Sequence, residues 1–375
     1  MTDNILKLPS GRESENESLG ADDEKIALRV ENKTARNHDF FTELLAKAKE
    51  EYQLKWDYKH SNTIHNTRSS CLEDFGIMKT ISRGWFGPVV QVQRKSTGAL
   101  YVMKIRDKQN ISKLRKMERI LYEERISQSV NFPFLIKFEC SFQDDSNLYT
   151  VSELVEGRDM TSQLARSGKV GEPQTRFYAS QIVLVLEYLH YMDIVYRSLK
   201  LENVLIDSAG YIKVKDFGLA KRVTGKTWTL LGDIQYVAPE IILGKGYTRA
   251  VDWWALGALI YEMVAGRPPF RADQPFRLFK KIVSGELHFP SSFSSELKDL
   301  LSNLLQADAT KRFGNLKNGA GDIKDHAWFS STDWIALYHK HVAAPFVPKC
   351  RKGASGDAAN AGDNKDTWGH HFAEF

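Results

Sequence analysis

The run Val195-Tyr196-Arg197-Ser198-Leu199-Lys200-Leu201-Glu202-Asn203 sets a hydroxyl, an ammonium and an amide close together, and Asp216-Phe217-Gly218 follows it. Between them the strand-like stretch Tyr211-Ile212-Lys213-Val214 leads into Lys215 and Asp216. A loop, a strand and a turn in this order bring an amide and a carboxylate together at one metal ion, and the spacing reads as a phosphoryl-transfer site.

Other elements must hold that loop in place. A long apolar helix, Gln174 to Tyr191, ends where the loop begins. Short strands with turns start at Phe75: Phe75 to Ser82, Val89 to Arg94, and Tyr101-Val102-Met103-Lys104-Ile105. The turn Ser82-Arg83-Gly84-Trp85-Phe86-Gly87 carries two glycines that let backbone N–H groups approach phosphates, although an ordinary hairpin looks the same. Glu123, on a helix expected over about Ile111 to Val130, is spaced to pair with Lys104.

The composition fits a folded soluble protein, with 42% hydrophobic and 26% charged residues. A net charge of +5, without a basic run interleaved with aromatics, gives no support to a nucleic-acid partner. No apolar run reaches the roughly 18 residues that a membrane span needs. Cys71, Cys140 and Cys350 are odd in number and widely spaced, and no signal peptide is seen, so reduced thiols in the cytoplasm or nucleus are expected.

Residues 1–38 are polar and read as disordered. From Asp39 an amphipathic helix is expected over 39–57, with Phe41, Leu44, Leu45, Ala48, Tyr52 and Trp56 on one stripe. A linker over 58–74 then leads into a catalytic domain over 75–329. Its motifs resemble those of the protein kinases, which implies a small lobe over 75–152, a hinge over 153–159 and a large lobe over 160–329, with a C-terminal tail over 330–375.

Taken together, these motifs resemble the catalytic subunits of cAMP-dependent protein kinase, in the AGC group of serine/threonine kinases. The likeness extends to Asn131-Phe132-Pro133-Phe134-Leu135, Gly225-Lys226-Thr227-Trp228-Thr229-Leu230, Ala238-Pro239-Glu240, Lys311-Arg312-Phe313-Gly314-Asn315 and the terminal Phe372-Ala373-Glu374-Phe375. It implies an α+β, bilobal kinase fold: a small, mostly antiparallel β lobe with one main helix, and a large, mostly helical lobe. It also implies ATP and Mg²⁺ as cofactors. Ser82, Gly84, Gly87, Val89, Val102, Glu153 and Leu205 would surround the nucleotide, with Lys104 on its phosphates and Glu123 holding Lys104. Asn203 and Asp216 would bind the metal, and Lys200 would neutralise charge on the transferring group.

By the same resemblance, Arg197, Lys221 and Arg119 would clamp a phosphate on Thr229. Glu240 and Arg312 would form a buried ion pair, and Asp252 would brace the loop. Asp159, Glu202 and Glu262 would take arginines flanking a target Ser/Thr, with Leu231 and Ile234 near the residue after it. Trp228 and the Leu230 region would dock a cAMP-binding regulatory subunit. Phe372 and Phe375 would fold back onto the small lobe, and Trp368 is the tail's only other aromatic.

Several positions depart from the family pattern. Ser198 stands where the catalytic loop has its Asp, and a hydroxyl cannot serve as the base. Asp233 replaces a Thr, which makes it a candidate surrogate carboxylate paired with Lys200. Ser82 replaces a loop glycine, Arg83 and Trp85 crowd that loop, and Val102 fills a slot that usually holds Ala. Lys215 adds a cation beside Asp216, Ser127 and Ser152 replace apolar residues, and Gln235 replaces an acid. Two readings therefore stay open: a weakened ATP- and Mg²⁺-dependent kinase for Arg-flanked sites, or a pseudokinase that binds regulatory subunits or substrates without useful transfer.

Overall fold

The computed structural model describes residues 16–61, 70–84, 87–113, 117–229 and 232–348. The chain divides into two units, Met1–Lys47 and Ala48–Phe375. The first is represented by helix α1 (Asn16–Ser61), which continues into the second unit. This corrects two expectations. Helix begins at Asn16 rather than Asp39, and it extends through Ser61 into the stretch read as linker. The polar run that suggested disorder is rich in Glu, Lys, Ala, Leu and Arg, all good helix formers whatever their hydropathy.

The second unit opens with an antiparallel sheet of five strands, in spatial order β1-β2-β3-β5-β4. These are β1 (Phe75–Gly84), β2 (Gly87–Arg94), β3 (Leu100–Asp107), β4 (Phe138–Gln143) and β5 (Asn147–Glu153). Phe75, Val90, Val92, Met103, Tyr149 and Val151 bury one face as a small core. The helix expected over Ile111 to Val130 appears as α2 (Lys108–Lys113) and α3 (Met117–Ser129).

The rest is mostly helical: α4 (Met160–Ser167), α5 (Glu172–Tyr191), α6 (Pro239–Ile242), α7 (Ala250–Ala265), α8 (Pro275–Ser284), α9 (Ser295–Leu304), α10 (Gly321–Lys324) and α11 (Trp334–Tyr338). Helix α7 buries nearly every residue, as a helix apolar all round must, while α5 buries most of its length and leaves its first turn and Tyr191 more open. Five short strands, β6 (Gly157–Asp159), β7 (Ile194–Val195), β8 (Val204–Asp207), β9 (Ile212–Val214) and β10 (Lys221–Arg222), pair into two small sheets, β6-β8-β9 and β10-β7. The fold is thus the α+β, two-lobed arrangement that the motifs predicted. Among the described residues, no helix is long and apolar enough to cross a membrane.

Two pieces of local chemistry set the positions of the loops. Arg312 reaches Glu240 with both nitrogens, at 2.7 and 2.9 Å, and also donates to Ala250 O and Gln306 O. The pair pins α6 to the start of α7 and to the turn after α9. Asp252, fully buried on α7, accepts the N–H groups of Tyr196 and Arg197 at 2.9 and 2.8 Å and lies 2.8 Å from His190 Nε2. Three contacts on one carboxylate fix the entry to the loop that carries Ser198, where Arg197 itself takes the left-handed φ of 60°.

Candidate active site

A cleft of about 1040 Å³ lies between the sheet and the helical lobe. Its walls include Gly84, Gly87, Val89, Lys104, Glu123, Ser198, Lys200, Asn203, Asp216 and Asp233, which the sequence had singled out from separate segments. The strand turn enters the cleft because it is nearly side-chain-free at its ends. Gly84 pairs with Gly87, and a Cβ on Gly87 would meet Ile105 O at 2.2 Å. Trp85 and Phe86 lie outside the described residues.

Strand β3 supplies Lys104, and α3 supplies Glu123. Lys104 Nζ is 3.1 Å from Glu123 Oε1 and 4.0 Å from Asp216 Oδ1. Asp216 adopts φ 71° and accepts the Gly218 N–H at 3.0 Å, so its carboxylate is aimed by its own backbone. Burial alone would raise its pKa. Lys104, the Gly218 N–H, Lys215 and Arg106 outweigh that effect and hold the carboxyl below its ordinary value. Gly218 also makes room for Glu123: a Cβ there would stand 3.4 Å from Glu123 Oε2.

On the opposite wall, Asn203 donates its amide nitrogen to Ser198 O at 2.8 Å. That bond fixes the amide and leaves its oxygen as the atom able to bind a cation, in the cleft that Asp216 also lines. A hard divalent cation wants oxygen ligands of this kind, so these two residues fit Mg²⁺. Ser198 is buried, at 7% exposure, and no carboxylate takes its place at that position. Lys200 Nζ points instead to Asp233 Oδ2 at 3.4 Å, while Asp233 Oδ1 accepts the N–H of Gln235 at 3.2 Å. Lys215 follows β9 with its N–H on Asn203 O at 2.9 Å; burial holds its ammonium pKa down, against the pull of Asp159 and Asp216.

The remaining nucleotide positions are less tightly gathered. Val102, Glu153 and Leu205 do not line the main cleft. Val102 lies in the sheet opposite Gln91 and Ser152. Glu153 is held by Lys213 Nζ at 2.6 Å and by the Lys137 N–H at 2.8 Å, and its own N–H donates to Lys137 O. Leu205 sits between Asp159 and Lys213 in the small sheet β6-β8-β9. Ser82 is exposed on β1 opposite Val89, and Ser127 bonds back to Glu123 O at 2.8 Å along its own helix.

The acids expected to meet arginine differ in their surroundings. Asp159 caps α4, accepting the Ser162 N–H at 2.7 Å and its hydroxyl at 2.9 Å. Glu202 is exposed on the cleft wall. Glu262 accepts the Tyr236 hydroxyl at 2.5 Å, and burial pushes its pKa up despite that bond, with Glu202 and Asp233 adding to the rise.

The three basic residues assigned to Thr229 do not meet it directly. Among the described residues, no hydrogen bond or ion pair joins Thr229 to Lys221, which is exposed on β10, or to Arg119, whose Nε donates to Gly218 O at 2.5 Å. Arg197 arrives through an intermediary. It donates to Tyr247 Oη at 3.0 Å, and Tyr247 donates to Thr229 O at 2.6 Å. The Thr229 hydroxyl is 3.4 Å from that of Thr227. Trp228 is 66% exposed and packs on Gly246, where a Cβ would meet its ring at 2.8 Å. Leu230, Leu231, Trp368, Phe372 and Phe375 fall outside the described residues.

Sequence reasoning missed Tyr236, Tyr247 and Arg106. The tyrosines carried no motif signal. Arg106 was readable, because it stands two residues after Lys104 on a strand and therefore shares its face. Its Nη2 lies 2.6 Å from Glu123 Oε1.

Comparison with known proteins accounts for this arrangement. A protein kinase domain model matches residues 75–329. The chain is 45% identical over 289 residues to the cAMP-dependent protein kinase catalytic subunit of Dictyostelium discoideum, covering 77% of this chain and 44% of that one. It is 42% identical over 301 residues to catalytic subunit 3 of Drosophila melanogaster, covering 80% and 51%. With the human catalytic subunit PRKX it shares 41% identity over 289 residues, covering 77% and 80%. It thus spans about half the length of the first two relatives and four-fifths of the third. The chain belongs to the protein kinase family, and these cAMP-dependent catalytic subunits are similar to it over most of its length.

Proposed function

We propose that the chain is a serine/threonine protein kinase of the cAMP-dependent type, one that transfers phosphate from ATP to Arg-flanked Ser/Thr residues slowly. A single observation carries the reading: Lys104, Glu123, Lys200, Asn203 and Asp216 gather in one cleft, while the loop position meant for a base holds Ser198. In the transfer, the acceptor hydroxyl forms a new O–P bond to the γ-phosphorus as the β–γ bridging O–P bond breaks and ADP leaves, and the acceptor proton passes to solvent because position 198 offers no carboxylate to take it.

Lys104 would bind the phosphates and Lys200 the transferring group, with Asn203 and Asp216 holding Mg²⁺. The bound metal would neutralise charge on the phosphates. Ser198 can accept no proton at neutral pH, so orientation and electrostatics have to carry the reaction. Losing a general base typically costs about 10² to 10⁴ in rate, which slows a loose phosphoryl transfer without abolishing it. Asp233 is the nearby carboxylate that partly restores the missing charge, through Lys200. Glu202 and Glu262 would receive substrate arginines, and the exposed Trp228 would receive a cAMP-binding regulatory subunit. Cytoplasm or nucleus is the matching location.

A second reading draws on Ser198 itself and on the valine at position 102: a pseudokinase that titrates regulatory subunits or substrates. Purified protein with ATP, Mg²⁺ and an Arg-rich peptide separates the two. Slow labelling that rises at least tenfold in Ser198→Asp supports the kinase. No labelling by either protein, with regulatory-subunit binding intact, supports the pseudokinase.

A further inference from the structure

Glu123 Oε1 is shared by two cations from the same strand. Lys104 Nζ stands 3.1 Å away, and Arg106 Nη2 stands 2.6 Å away. The two contacts are not equal. The side chains of Arg106 and Glu123 are 7% and 12% exposed, whereas that of Lys104 is 35% exposed. Arg106 has a second anchor as well, because its Nη1 donates to Thr150 Oγ1 on β5 at 3.2 Å. A planar guanidinium fixed at two points is a better spacer than a flexible ammonium, and a water-poor setting strengthens its hydrogen bond.

Helix α3 is therefore tied through Glu123 to two neighbouring central strands by a residue that no nucleotide is needed to order. Glu124 and Gln128 of α3 also meet Ser141 on the edge strand β4, so we propose that Arg106 is the positioning residue that holds the Glu123 turn of α3 against the central strands, keeping Glu123 in place whether or not Lys104 or a nucleotide engages it. The inference rests on the cleft being the nucleotide site, since it leaves Lys104 free for phosphate. Lys104, bonded to Glu123 at 3.1 Å, also stands 4.0 Å from Asp216.

Hydrogen exchange of the α3 amides, in the full chain with and without ATP–Mg²⁺, tests this. Arg106→Leu leaves Glu123 still paired with Lys104, so no buried charge is orphaned and the fold is retained. Three results are expected. Exchange in α3 of the natural protein is the same with and without nucleotide, and Lys104→Met changes it less than twofold. Arg106→Leu speeds it at least tenfold without nucleotide, because the more exposed Lys104 alone then holds Glu123, and ATP–Mg²⁺ slows it again by ordering Lys104 between Glu123 and the phosphates. Arg106→Lys falls between the two.

The proposal is overturned if Lys104→Met loosens α3 as much as Arg106→Leu does. It is equally overturned if Arg106→Leu speeds exchange across the whole sheet, which would make Arg106 an ordinary core residue. A flat nucleotide response in every variant tells against the nucleotide reading alone, because the nucleotide-free comparison of the two variants still decides the latch.

Discussion

Lys200 Nζ and Asp233 Oδ2 lie 3.4 Å apart, one on the loop after β7 and the other on the segment before α6. Both side chains are about one-third exposed, so the pair is held by the Gln235 N–H on Asp233 and by the braced loop as much as by charge. If this carboxylate substitutes in part for the absent base, Asp233→Asn lowers the residual kcat about tenfold and leaves the affinity for ATP near its starting value. Unchanged turnover of an Arg-rich peptide would show that Asp233 contributes no surrogate charge.

The same geometry makes Ser198 and Asp233 energetically coupled. A carboxylate at 198 would compete with Asp233 for Lys200, and neighbouring sites with a shared partner are not additive. Removing Asp233 from the Ser198→Asp protein should therefore cost much less than removing it from the natural one, or should raise the rate. Steady-state kcat for the four proteins of the cycle gives the answer. Equal losses in both backgrounds would mean that the two carboxylates act separately.

A larger effect on stability is expected at Arg312. Its guanidinium is fully buried, bidentate to Glu240 and stacked 5.2 Å over Trp254. Arg312→Ala leaves Glu240 buried without a counter-charge, a change that costs about 3 to 5 kcal/mol. Urea unfolding should show that loss. A loss below about 1 kcal/mol would place the pair among contacts of surface strength.

Much of this was legible in the sequence, and what was missed has a physical pattern. Lys104, Glu123, Lys200, Asn203 and Asp216 were readable because the chemistry constrains residue type and spacing together. Tyr247 was not, because the Thr229–Arg197 link runs through a hydroxyl contributed by the turn before α7 and any aromatic looks alike in sequence. Asp159 was read for its charge alone, whereas its position just before Met160 also makes it a helix cap. The extent of α1 was misread because low hydropathy was weighed above helix propensity, although a helix can be polar for most of its length.

Acidity tests the proposal that Glu262 takes a substrate arginine. Burial raises the Glu262 pKa above its ordinary 4.5, against the Tyr236 hydroxyl and with help from Glu202 and Asp233. Its folded value exceeds its unfolded one, so its contribution to stability is full below 4.5 and is lost as pH rises through the folded value. Arginine binding runs the other way, because it needs the ionised carboxylate. Peptide affinity should climb over that same window, and Glu262→Gln should flatten the climb. Asp216 has the opposite sign: its pKa is depressed from 3.8, so its stabilising effect is present above that value and is lost on further acidification. A pH profile of peptide Kd that is identical in the natural protein and Glu262→Gln would remove Glu262 from the recognition wall.

Trp228 offers a way to separate docking from catalysis. Its ring rests on Gly246, and the methyl of Gly246→Ala would stand 2.8 Å from it. Contact that close forces the indole off its present seat, while Thr227 and Tyr247 still exchange backbone hydrogen bonds at 3.0 and 2.9 Å beneath it. Gly246→Ala should therefore weaken regulatory-subunit binding about as much as Trp228→Ala, a loss on the scale of an exposed aromatic anchor, roughly 2 kcal/mol or more. Labelling of a short Arg-rich peptide should stay within twofold in both variants. Binding that survives in both would move the docking surface away from this tryptophan, whereas equal loss of binding and labelling would mean that the substitutions disturb the Thr229 segment itself.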